Sequence, residues 1–105
     1  MPVVTPVIPE TVTPAAAEFA RSLGLHDSLL VARQLTRQML PSMRALHIDV
    51  EHDPEEEGLT TICFHITMPE TVERVVELND ALHDALFECL PARAGMYFSF
   101  AYRFD

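Results

Sequence analysis

Apolar positions change period along this chain, from helical spacing to strict alternation and back. Between Pro14 and Leu40, Leu25, Leu29, Ala32, Leu35 and Met39 recur at steps of three and four, which is one face of a helix. Thr13 and Pro14 are suited to cap and open a first helix, PAAAEFARSL, ended by Gly24. Asp27 is suited to cap a second, SLLVARQLTRQML, ended by Pro41, so the pair reads as a helical hairpin or one kinked helix. From Leu46 the period becomes two. Leu46, Ile48 and Val50 alternate with His47, Asp49 and Glu51, and Ile62, Phe64, Ile66 and Met68 alternate with Thr61, Cys63, His65 and Thr67. These are two half-buried strands, joined by a turn at Pro54 and Gly58 into an antiparallel hairpin.

Helical spacing returns from Pro69 to about Leu90, with Val72, Val75, Leu78, Leu82, Leu86 and Leu90 on one side and Pro91 as the stop. A last strand alternates Met96, Phe98, Phe100, Tyr102 and Phe104 against Tyr97, Ser99, Ala101 and Arg103. The order predicts an α+β fold, arm-α(α)-β-β-α-β, with a three-stranded, mainly antiparallel sheet and helices packed on one face. The last strand is expected beside the first strand of the hairpin, because strict alternation suits a half-exposed antiparallel sheet. Residues 1–13, with prolines at 2, 6 and 9, read as an extended arm, and residues 14–105 as a single domain.

Composition narrows the function classes. Sixteen acidic against seven basic residues give a net charge of -9, which repels a phosphate backbone unless the cations cluster. Three glycines leave no phosphate loop, and no nucleophile elbow or HExxH occurs, so a non-enzymatic role without a cofactor is expected. Cys63 and Cys89 lack CxxC spacing, and no signal-like or membrane-spanning apolar run occurs; a reduced, soluble, cytoplasmic protein is expected.

Four groups of residues carry candidate chemistry. Glu70, Glu73, Glu77, Asp80, Asp84 and Glu88 fall within an arc of roughly 80° on the third helix, a stripe of one charge sign. Like charges four apart cost a helix about 0.2–0.5 kcal/mol per pair, a loss that suits a docking surface for a basic partner. His47, Asp49, Cys63 and His65 share the solvent face of the hairpin, and imidazole, thiolate and carboxylate are zinc ligands, although a flat sheet splays them. Phe19 to Leu35 resembles the helix-turn-helix pattern of many bacterial repressors and would offer Ser28, Arg33, Gln34 and Arg37 to a major groove, against the adverse net charge. Thr61, Cys63, Thr67, Tyr97, Ser99 and Ala101 make the uncovered sheet face small and uncharged. His47, Asp49, His65 and Arg103 form its rim, which suits stacking on a second copy in a two-fold homodimer, with the arm lying across the neighbour.

Glu51, Asp53, Pro54 and Glu55, with the segment 71–77 and the strand from Phe98, resemble a group of small uncharacterised bacterial α+β proteins with an acidic DPE hairpin. Some of these accompany toxin-like genes. The resemblance covers the C-terminal half and implies an acidic protein that binds a basic, toxin-like partner; it carries no catalytic residues across.

Overall fold

The computed structural model describes residues 8–52, 55 and 59–105. Thr13 starts the helical part of the chain as its position predicts. Its Oγ1 accepts the Ala16 amide at 3.1 Å, and Pro14 opens α1, Pro14–Ser22. Gly24 takes φ 69 and turns the chain into α2, His26–Met39. Here the expected cap fails: α2 is entered from Leu25, which carries no side-chain cap, and Asp27 lies inside the first turn, where its charge still favours the helix N-terminus. The reason is the tight turn itself. Leu25 N–H reaches back to Ala20 C=O at 2.7 Å and Leu29 N–H bonds Leu25 C=O at 2.8 Å, so the second helix begins one residue after the turn closes.

The chain is α+β with a four-stranded mixed sheet and four helices among the described residues. The strands are β1 (Glu10–Val12), β2 (Ala45–His52), β3 (Thr60–Met68) and β4 (Phe98–Phe104), in the order β1-β2-β3-β4. β2 and β3 form the expected hairpin, with Ile48 opposite Phe64 and Asp49 opposite Cys63. Asp53, Pro54 and the residues 56–58 of its turn lie outside the described residues. Two expectations are corrected. The last strand runs parallel beside β3, the second hairpin strand, with Ile62 aligned to Phe98 and Ile66 to Tyr102. The place beside β2 is taken by β1, the end of the expected arm, which pairs parallel to it through Glu10 and Leu46, and Val12 and Ile48. The rest of the arm, residues 1–7, lies outside the described residues.

The third helix also starts later than Pro69. Pro69 and Glu70 form a bend, Thr71 caps by accepting the Arg74 amide at 3.3 Å, and α3 runs Val72–Cys89. Pro91 ends it and leads into the short α4, Ala92–Gly95. The sheet thus consists of two parallel units, β1-α1-α2-β2 and β3-α3-α4-β4, joined by the hairpin. All helices bear on one face. Arg33 of α2 reaches Glu10 of β1, and Tyr102 of β4 donates to Asn79 of α3 at 2.6 Å. The two units run in opposite directions and step the same way across the sheet, so one of the two crossovers is left-handed, against the usual preference.

The core between sheet and helices holds Leu46, Ile48, Ile62, Phe64, Ile66 and Met68 from the strands and Ala16, Ala20, Leu29, Ala32, Val75, Leu82 and Leu86 from the helices. Phe64 is fully buried, with the Phe98 ring perpendicular at 5.9 Å and the Phe100 ring at 4.9 Å. One carboxylate also points to this side. Glu10 is aligned with Leu46 and is held by Arg33 at 2.9 Å and by Arg37.

Candidate functional site

The helix α3 carries three faces. Val75, Leu82 and Leu86 are buried against the sheet, and Glu73, Glu77, Asp80, Asp84 and Glu88 are exposed on the far side, with Glu70 half-buried just before the helix. Glu77 is bridged to Arg74 at 3.0 Å; among the described residues no ion pair reaches Glu73, Asp80, Asp84 or Glu88. Between these faces runs a second apolar stripe. Val72, Val76, His83 and Phe87 lie within an arc of about 60° at helical spacing. All four are exposed, Phe87 to 83%.

This stripe overhangs β4, the outermost strand of the sheet beside β3. The His83 ring meets the Phe100 ring edge-on at 5.2 Å, and Asn79 accepts from the Tyr102 hydroxyl, whose pKa burial pushes up to about 12. Together with Leu90, Met96 and Phe98, His83 and Phe87 line a groove of about 350 Å³ between α3, α4 and β4. Met96 and Phe104, exposed to 66% and 46%, extend the apolar surface along the strand. Val76, Phe87, Met96 and Phe104 are functional candidates that the sequence reading passed over. The signal was there: Val76 and Phe87 do not share the face of Leu78, Leu82 and Leu86.

The other sheet face carries Thr11, His47, Asp49, Thr61, Cys63, His65, Thr67, Ser99, Ala101 and Arg103. No helix covers it among the described residues. Thr61 and Ser99 share a hydrogen bond at 3.1 Å, and Ala101 is exposed. Tyr97 does not belong to this face. It precedes β4, and its ring packs edge-on against Phe19 of α1 at 6.3 Å, on the core side.

The expected metal quartet does not assemble as a quartet. Asp49 is occupied: its Oδ1 accepts from the Thr13 hydroxyl at 2.7 Å and from the Val50 amide at 2.8 Å, and these bonds, Thr13 first, hold its carboxyl below the ordinary carboxylate range. The His47 ring lies beside that of His65, directly opposite, tilted by 39° with ring centroids 6.0 Å apart. What converges instead is Glu51, Cys63 and His65, one ligand atom from each, all within 4.8 Å of one another. Cys63 is buried and free. Burial pushes its thiol pKa up to about 11, with Glu51 adding to the rise and a bond from Ser99 opposing it.

The helix-turn-helix candidates are drawn into the fold. Arg33 and Arg37 are both on Glu10, while Ser28 is half-buried and Gln34 exposed. Two of the four side chains proposed for a major groove thus have an intramolecular carboxylate partner. No helix among the described residues is long and apolar enough to cross a membrane. No family model, curated protein or solved structure matches the chain.

Proposed function

We propose that this chain is a non-enzymatic interaction module that takes a basic amphipathic segment of a partner protein along α3 and the free edge of β4. The observation that carries the reading is the juxtaposition on one helix of an exposed apolar stripe and an acidic stripe of which Glu73, Asp80, Asp84 and Glu88 have no ion-pair partner among the described residues. Phe87 and Met96 line one groove and Val76 is exposed on the same helix stripe, apolar surface of the kind that marks binding sites on soluble domains. Glu73, Asp80, Asp84 and Glu88 stand beside it and favour Lys or Arg on the incoming chain. An edge strand offers backbone donors and acceptors to an added strand, with its side chains entering the neighbouring groove. The basic, toxin-like partner implied by the hairpin resemblance has the matching charge.

A synthetic peptide of alternating Leu and Lys tests the surface. Its affinity is expected to fall with added salt, and Phe87→Ala is expected to weaken it more than about tenfold, as loss of a central aromatic anchor does. Leu30→Ala, which removes an exposed apolar side chain on α2, is expected to leave binding unchanged. Equal binding by Phe87→Ala and the unaltered chain would contradict the reading.

Self-association through the open sheet face is a second reading, supported by the small uncharged strip of Thr61, Cys63, Ser99 and Ala101 across β3 and β4. Two such faces pack about 10 Å apart when their side chains are small. Sedimentation equilibrium is expected to give twice the 11.8 kDa chain mass at micromolar concentration, and Ala101→Arg to give the single-chain mass with unchanged helicity. A single-chain mass at every concentration removes this reading and leaves the first intact.

A further inference from the structure

We propose that Glu51, Cys63 and His65 form a zinc site on the open face of the sheet. On a flat sheet, side chains two apart on one strand stand parallel, so Cys63 and His65 alone would not converge. Glu51 comes from β2, aligned with Thr61, and its longer side chain crosses the face diagonally. Its Oε2 lies 4.0 Å from His65 Nε2, and one ligand atom from each of Glu51, Cys63 and His65 lies within 4.8 Å of the other two. Zinc bonds of about 2.0–2.3 Å set tetrahedral ligand atoms roughly 3.3–3.8 Å apart. The three donors need to close by about 1 Å. Glu51 and His65 are free to do so, since their side chains are 59% and 47% exposed.

The donor set selects the metal. A thiolate with imidazole and carboxylate suits zinc and is poorly matched to magnesium or calcium, which take oxygen ligands. The chain's net charge of -9 draws cations to its surface. Binding is an exchange: Zn²⁺ takes the Cys63 sulfur as thiolate, the thiol proton leaves to solvent, and Glu51 and His65 supply a carboxylate oxygen and a neutral ring nitrogen. Three protein ligands leave a fourth position for water. Asp49, tied to Thr13 and Val50, stays outside the shell.

The test uses the full chain prepared without chelator, then titrated with Zn²⁺ alone and, separately, with Co²⁺ alone. One equivalent of zinc is expected, and the cobalt form is expected to show thiolate-to-metal charge-transfer absorption. Cys63→Ser is expected to abolish that absorption, whereas Cys89→Ser on α3 keeps it. Should Cys63→Ser fail to fold, Glu51→Gln and His65→Gln carry the test. Each is exposed, and each is expected to weaken zinc binding by at least about tenfold, since even outer-shell losses cost 10–100-fold. No zinc uptake at one equivalent, zinc binding by His65→Gln equal to that of the unaltered chain, or charge transfer that persists in Cys63→Ser would each overturn the proposal.

Discussion

Phe64→Ala is expected to cost about 3–5 kcal/mol, the range for an aromatic removed from a close-packed core. The side chain is fully buried at the centre of β3 and touches the Phe98 and Phe100 rings, so it joins the hairpin to the last strand and to the helices above. A domain of this size commonly has a total stability of about 5–15 kcal/mol, and the variant should therefore unfold at a much lower urea midpoint with an unchanged slope. Phe87→Ala is the informative comparison. Its ring is mostly in water, so its removal is expected to stay within about 0.5 kcal/mol of the unaltered chain. Two phenylalanines of opposite effect would separate the core from the surface that the proposed function uses; a large loss at Phe87 would make that residue structural.

Glu10→Ala is expected to cost about 2–3 kcal/mol. Breaking a fully buried ion pair costs about 3–5 kcal/mol through the uncompensated charge left behind, and this case falls lower because Arg33 and Arg37 are 30% and 55% exposed. The damage should be local. Glu10 pins the three-residue β1 against α2, and the flanking bonds, Thr13 N–H to Ile48 C=O and Leu46 N–H to Pro9 C=O, depend on that strand. Hydrogen exchange is expected to accelerate at Thr13 and Leu46 first, with the amides of β3 still protected. Uniform acceleration across the sheet would show that β1 is part of the global unfolding unit.

The hairpin and the last strand were legible because their inward residues alternate without interruption, Ile62 to Met68 on β3 and Phe98 to Phe104 on β4. The short β1 was not legible. It follows three prolines, and its inward position 10 is a glutamate, which becomes explicable only once Arg33 and Arg37 are brought to it by the packing of α2. Strand neighbours were equally out of reach, since alternation reports which face is buried and not which strand lies alongside. For the candidate site, the acidic stripe of α3 was visible from spacing alone. The apolar stripe beside it was equally present in the spacing, since Val76 and Phe87 fall off the face of Leu78, Leu82 and Leu86, but spacing alone does not report that this second face is left uncovered by the fold. Glu51 escaped the metal reading for a related reason: strand register pairs it with Thr61, and only side-chain length carries it to His65.

The docking claim is tested most directly by placing a photo-crosslinking benzoylphenylalanine at position 87 and irradiating the chain in its native host. The account predicts an adduct with a basic protein, formed at position 87 and equally from position 76 on the same stripe. It should be absent when the probe replaces Leu30 on α2, and reduced when Asp80 and Asp84 are changed to Lys. No adduct at either stripe position, adducts only with a second copy of the chain, or a crosslinked partner that is itself acidic would contradict it.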